Sequence, residues 1–276
     1  MVYVQLTNGF GNNLFQIVYA KIISHELSTD LQLIPFCRGY YAMPALRNVF
    51  NFPLKEATDV PSDAVKVGDD SSRTNNPSKN YLIKGHFEDF NLFVNHRDLI
   101  KSWFTPIKTV DPENLTIHLR LGDRLFLENQ YGTNMFASVE QYKNALKDFK
   151  FKKLSIVTDV PFWKEIISDD LLNLECHTNV PRKSQTIEKG VAYFNEIFNF
   201  FNTLNPHVRL NQKIDEDFNF IRSSSQILFM HSTFSWWAAF LSNALKVSVY
   251  GPWRPIKQSS NKNLSKLPLK NWSQWI

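Results

Sequence analysis

Apolar residues along this chain fall into short runs, separated by stretches in which they recur at every third or fourth position. The runs "VYVQL" (2–6), "LQLIPF" (31–36), "YLIKG" (81–85), "NLTIHL" (114–119), "KLSIVT" (153–158), "QILFM" (226–230) and "KVSVYG" (246–251) each predict a β-strand. Between them, "NNLFQIVYAKIISHEL", "SVEQYKNALKDF", "PFWKEII" and "SQTIEKGVAYFNEIFNFFNTL" carry the period of amphipathic helices. "SWWAAFLSNAL" (235–245) is apolar on nearly every side, so it predicts a helix buried all round. Alternating strands and helices predict an α/β fold with parallel sheets and helices on both faces. The pattern breaks at "WFTPIKTVDPEN", where two prolines and polar residues precede a new strand. Two lobes follow, 1–110 and 111–276. The irregular stretch 55–80 is longer than an ordinary connection, and such stretches tend to be functional or disordered.

Composition narrows the class without naming a chemistry. The 276 residues are 43% hydrophobic and 21% charged, which is globular. No run approaches a membrane-spanning length, and "MVYVQLTNGFG" lacks a basic start and a signal-length apolar run, so a soluble cytoplasmic chain is expected. A net charge of +5 suits an anionic ligand, but the charge is too thinly spread to suggest a nucleic-acid face. Cys37 and Cys176 stand far apart with no CxxC partner, which predicts reduced core thiols rather than a disulfide or zinc site.

Open α/β lobes bind ligands beyond the carboxyl ends of their strands, so the segments following strands are where chemistry is expected. After the first strand come Gly9, Gly11 and Asn12, then a helix. Glycines there let the backbone turn sharply or approach a ligand closely, and a helix start offers N–H groups to an anion. The dinucleotide pattern is not met, since Leu14 stands where a third glycine belongs and "LQLIPF" ends without an acid. "IHLRLGDR" places His118, Arg120, Asp123 and Arg124 at the end of a strand. Arg120 can grip a diphosphate bidentately and neutralise charge as it leaves, work a metal would otherwise do. His118 suits either a ribose or base contact or a satisfied place in the core; Asp123 suits capping a turn or orienting an arginine. In "HSTFSWW", Ser232, Thr233, Phe234 and Ser235 open the buried helix, as caps or as a phosphate cradle strengthened by the helix dipole.

"NGFGNNLFQIVYA", "HLRLGD" and "HSTFSWWAAFLS" together resemble, in order and separation, the three hallmark segments of the alpha-1,2-fucosyltransferases, glycosyltransferase family 11, and of related inverting fucosyltransferases. "KKLSIVTDVPFW" resembles that family's strand ending in a hydroxyl residue, an aspartate and a nearby tryptophan. The resemblance implies a GT-B architecture: two Rossmann-like lobes facing across a cleft, the first presenting an acceptor, the second binding a nucleotide sugar. It also implies inversion without a metal or other cofactor. Arg120 then matches the diphosphate arginine, His118 the histidine near the nucleoside, Ser232 to Ser235 the loop around the phosphates, and Gly9, Gly11 and Asn12 the loop under donor and acceptor. Two positions depart: Leu121 replaces a second arginine, and Asn13 replaces a glutamine. A chain this short also resembles glycosyltransferases of bacteria or large algal viruses, whose surface glycans contain fucose and xylose. The expected donor is therefore GDP-fucose or UDP-xylose, and the expected partner a glycan acceptor. A non-catalytic nucleotide-sugar or glycan-binding module is the alternative.

Inversion calls for a carboxylate within reach of the acceptor hydroxyl. Asp69 and Asp70 in "VGDDSS" are the preferred pair, because adjacent acids raise one another's pKa. Glu88 and Asp89 in "GHFEDF" are the second choice. "DED" at 215–217 has the spacing of a metal-binding motif, but it reads as the acidic first turn of a helix. No metal site is expected.

Overall fold

The computed structural model describes residues 1–7, 9–35, 42–69, 76–77, 79–108, 111–126, 136–175, 182–251 and 268–275. Cys37, Cys176 and Asp70 lie outside the described residues. The described chain divides into two compact units, one up to Pro106 and one from Ile107 onward.

The first unit runs β1 (Val2–Gln5), α1 (Phe10–Glu26), β2 (Leu31–Ile34), α2 (Met43–Val49), β3 (Val65–Val67), β4 (Tyr81–Ile83), α3 (Asn91–Val94) and α4 (Arg97–Ser102). Its sheet is wholly parallel, in the order β2-β1-β4-β3. α1 covers the sheet and buries Leu14, Phe15, Ile17, Val18, Ile22 and Ile23. That is why its sequence shows so little polar face.

The second unit runs β5 (Asn114–Leu119), a 3-10 helix (Gly122–Phe126), α5 (Val139–Leu146), β6 (Lys153–Thr158), α6 (Ser168–Leu172), α7 (Ser184–Asn202), β7 (His207–Arg209), α8 (Ile214–Ser223), β8 (Gln226–Phe229), α9 (Thr233–Leu241), β9 (Lys246–Tyr250) and β10 (Trp272–Trp275). These six strands are also all parallel, in the order β7-β6-β5-β8-β9-β10. Counted within the unit this is 3-2-1-4-5-6, the Rossmann order, and it reverses between β5 and β8. β5 is buried at every residue because it lies between β6 and β8. Its polar residues are satisfied there: Thr116 shares a 2.7 Å hydroxyl bond with Ser224, and Ser155 donates to Asn114 at 3.0 Å. α7 buries Ile187, Phe194, Ile197 and Phe201 at helical spacing, and α9 is the all-round buried helix expected at the tryptophans.

The α/β architecture with parallel sheets is therefore as expected, with one helix misplaced. "PFWKEII" is not helical; α6 begins after it, at Ser168. The Ile166 N–H donates to Asn195 Oδ1 at 2.8 Å and the Ile167 N–H to Asp170 Oδ2 at 3.0 Å. Side chains thus take the amides that a helix would have used. No helix among the described residues is long and apolar enough to cross a membrane.

Candidate active site

In the second unit, the switch point between β5 and β8 gathers the residues singled out in the sequence. His118 is the penultimate residue of β5 and Arg120 follows the strand; Ser232 to Ser235 follow β8. His118 Nδ1 bonds Ser235 Oγ, and its ring lies 5.5 Å from that of Phe234, so β5 and the first turn of α9 are pinned together. Ser232 is the N-cap of α9, its Oγ accepting from the Ser235 N–H at 3.4 Å. Trp236 and Trp237 are buried, with Trp236 stacked on Phe240 at 4.8 Å. The tryptophans pack; they are not a sugar platform.

Arg120 is held from two sides. Its Nη2 pairs with Asp123 Oδ1 at 2.6 Å and its Nη1 with Asp159 Oδ2. Asp159 is fixed in turn, since its Oδ1 accepts the N–H groups of Leu121 at 2.7 Å and Gly122 at 3.0 Å. About a third of the Arg120 side chain stays exposed. A guanidinium has five N–H donors, more than these two ion pairs engage. Held in this way and partly exposed, the guanidinium is oriented in advance for an oxyanion, which lowers the entropy cost of binding one.

Asp159 is the site residue that strand-by-strand reading did not assign. Its signal was the "TDVPFW" segment, but its partner is distant in sequence and only the β5–β6 pairing brings the two together. Arg124 is the other. Leu121, standing where the resembled family has a second arginine, is fully buried in the core. Arg124, three residues on, donates from Nη2 to the His231 carbonyl, immediately before the N-cap of α9. Burial, with Arg120 next, pushes its guanidinium down to about 10, so it remains a cation at neutral pH.

Close packing explains Gly122. A Cβ there would stand 2.8 Å from Arg120 Nη1 and closer still to Asp159 Oδ2. Gly122→Ala is therefore expected to part Arg120 from Asp159, lowering stability by about 1–3 kcal/mol, the usual cost of overpacking. Urea unfolding checks it; an unchanged midpoint would mean the loop yields freely.

Burial, with help from Arg120 and Arg124, depresses the His118 pKa from 6.5 to about 3, so the folded imidazole is neutral. The unfolded chain takes up a proton below 6.5 that the folded chain refuses, so stability falls as pH falls through that window. Between pH 7 and pH 5 this group alone removes about 2 kcal/mol. In His118→Gln that part of the acid sensitivity is expected to disappear, read as the difference between urea midpoints at the two pH values. An unaltered difference would mean His118 does not hold the neutral state described.

The first unit has its own switch point, between β1 and β4. Gly9 caps α1 with φ 65° and ψ 150°, a conformation that needs glycine, and Gly11 and Asn12 lie in the first turn. Gln16 ties this helix to the other side of the switch: its Nε2 donates to Thr7 Oγ1 at 3.0 Å and to the Gly85 carbonyl at 2.6 Å. Asp69 is exposed, and its Oδ1 accepts the N–H groups of His86 at 2.9 Å and Phe87 at 2.6 Å. Gly85 leaves room for it, because a Cβ there would stand 2.8 Å from that oxygen. The carboxyl whose pKa is raised is Glu88, to about 7, first by burial and then by Asp69. Sequence reading preferred the 69–70 pair for such a shift; what it missed is that Glu88 is buried, whereas Asp69 is solvated. Asp89 accepts from the Asn91 N–H at 3.1 Å and closes a turn.

Asp215, Glu216 and Asp217 do fill the first turn of α8, as the sequence suggested, and Asp217 pairs with Arg209 at 3.0 Å. Among the described residues no group of three His, Cys, Asp or Glu side chains comes together as a metal site.

No protein-family model and no curated protein sequence matches the chain. Among solved structures, the dodecameric iron-containing heptosyltransferase TibC in complex with ADP-D-beta-D-heptose is 13% identical, with a TM-score of 0.43, over 91% of this chain and 58% of that one. TibC from enterotoxigenic E. coli H10407, described as a bacterial iron-containing dodecameric glycosyltransferase, gives 12% identity and a TM-score of 0.42, over 91% of this chain and 60% of that one. The chain thus spans about three-fifths of the length of TibC.

Proposed function

We propose that the chain is an inverting, metal-independent glycosyltransferase of GT-B type, moving a sugar from GDP-fucose or UDP-xylose to a hydroxyl of a glycan. The observation that carries this reading is the convergence of Arg120 and the N-terminus of α9 where the six-stranded parallel sheet reverses its order. Ligands of open α/β sheets bind at such points, and diphosphates bind at helix N-termini there. The resemblance of the three sequence segments to family 11 supports the same residues in the same roles.

The chemistry assigned to these residues is a single displacement. Asp69 accepts the proton of the acceptor hydroxyl, whose oxygen attacks the anomeric carbon from the face opposite the diphosphate. The bond from that carbon to the phosphate oxygen breaks, and its electrons leave with the nucleoside diphosphate. Charge developing on the leaving oxygen meets Arg120 and the N–H groups around Ser232 to Ser235, preorganised donors that stabilise a transition state without reorganising.

The test is incubation with radiolabelled GDP-fucose and UDP-xylose, with and without a glycan panel and with and without EDTA. Transfer or donor hydrolysis with one of the two, unaffected by EDTA, is the expected result. Binding of a nucleotide sugar without turnover on any acceptor would make the chain a binding module, and loss of activity in EDTA would remove the metal-independent mechanism.

A further inference from the structure

The turn that follows β4 is strained and over-determined. Phe87 has φ 54°, a left-handed conformation unfavourable for an aromatic residue. It is held there because Asp69 accepts both its N–H and that of His86, and because its ring stacks on Tyr19 of α1 at 4.3 Å. Gln16, one turn before Tyr19, reaches the Gly85 carbonyl. Contacts at 16 and 19 show that this face of α1 is turned toward the β4 loop, and Asn13 lies three residues earlier on the same face.

On this frame sit polar atoms with nothing to bind. Asn13 is fully buried, with neither Oδ1 nor Nδ2 in a hydrogen bond; Glu88 is 8% exposed, with Oε1 unpartnered; His86 Nδ1 is buried and unpartnered too. Buried polar groups are normally satisfied, because each orphan carries the full cost of its desolvation. Orphans on a strained turn and on the helix face beside it, at a sheet's switch point, are what a binding site for a polar ligand looks like before the ligand arrives. The group mixes an amide, a carboxyl and an imidazole nitrogen. The charge that acts on Glu88 is that of Asp69, a second carboxylate, so the group suits an uncharged polar ligand better than an anion.

We propose that Glu88, Asn13 and His86 form a subsite that hydrogen-bonds the hydroxyls of an uncharged sugar, the acceptor, and delivers one of them to Asp69. This rests on the transferase reading and adds to it where, and by which side chains, the acceptor is held. Donor and acceptor groups paired with buried orphans also give specificity, since a sugar lacking the matching hydroxyl leaves them unpaired.

Ligand-observed NMR on the full chain, with saturating GDP or UDP, tests it using methyl glycosides of L-fucose, D-xylose, D-galactose, D-glucose, D-mannose and L-rhamnose. Wild type is expected to bind at least one. Glu88→Ala is expected to weaken that glycoside by about tenfold or more, as when one partner of a charge-assisted hydrogen bond is removed, while Glu88→Gln recovers part of the loss. Because Glu88→Ala removes an orphan, its Tm is expected to be unchanged or about 2–4 °C higher, a trade of stability for function that a structural residue would not show. No bound glycoside, or equal binding by wild type and both variants, overturns the proposal. Nucleotide binding on the same samples reports on the second unit: a chain that takes a glycoside in this way but neither GDP nor UDP refutes the donor assignment and leaves the subsite standing.

Discussion

Arg120→Ala is expected to reduce kcat/KM for sugar transfer by about 10²–10³-fold, roughly 3–4 kcal/mol of transition-state stabilisation, as when one preorganised donor to a developing oxyanion is removed. The size follows from how the guanidinium is held. Asp123 and Asp159 fix it, Asp159 is fixed by two backbone N–H groups, and a third of the side chain stays open to a ligand. In the proposed reaction such a group does not reorganise as charge builds on the leaving diphosphate. Most of the loss should therefore fall on kcat, with a smaller rise in donor KM. Arg120→Lys should recover little, because an ammonium cannot engage two carboxylates and a phosphate with planar forked geometry. Steady-state kinetics with varied donor decide it. If Arg120→Ala raised KM and spared kcat, Arg120 would only bind the ground state, and the transition-state role would pass to the α9 N-terminus.

The same site shows where the sequence was legible. β5 and β6 match the predicted runs residue for residue, because a strand buried on both faces is largely apolar, its polar exceptions such as Thr116 and Ser155 being bonded internally, and is bounded by turn formers. α9 was readable for the same reason. The three-residue β3 and β7 were not, since no period can be established over so short a stretch, and β10 lies in a segment whose tryptophans suit any buried element. Arg120 was visible as an arginine leaving a strand, but its lock was not. Asp159 belongs to the next strand's loop, and only the parallel register that sets Leu119 against Thr158 makes the two neighbours. The missing second arginine at Leu121 looked like a loss; the fold makes that position core and places Arg124 beside the α9 cap instead. In the first unit the glycines were read for their backbone freedom, which Gly9 uses. Glu88 was underrated because burial, the largest cause of its raised pKa, is a property of packing rather than of adjacent letters.

Asp69→Asn separates the scaffolding that this carboxylate provides from the base role proposed for it, and it is the more demanding prediction. An asparagine Oδ1 can still accept the His86 and Phe87 N–H groups, so the strained turn should survive and the fold should be unaffected. What disappears is the ability to take a proton. General-base contributions of this kind are worth about 10²–10⁴-fold, and kcat for transfer to glycan is expected to fall by that factor with donor KM unchanged. Asp69→Ala would remove the base and release Phe87 from its restraint together, so it should also lower Tm, and the comparison of the two variants isolates proton transfer from scaffolding. Donor binding, proposed for the second unit, should be the same in all three proteins. If Asp69→Asn keeps most of its kcat, the hydroxyl proton must go elsewhere. Glu88 would then be the first residue to examine, as a buried carboxyl with a pKa near 7 that exchanges a proton readily at neutral pH.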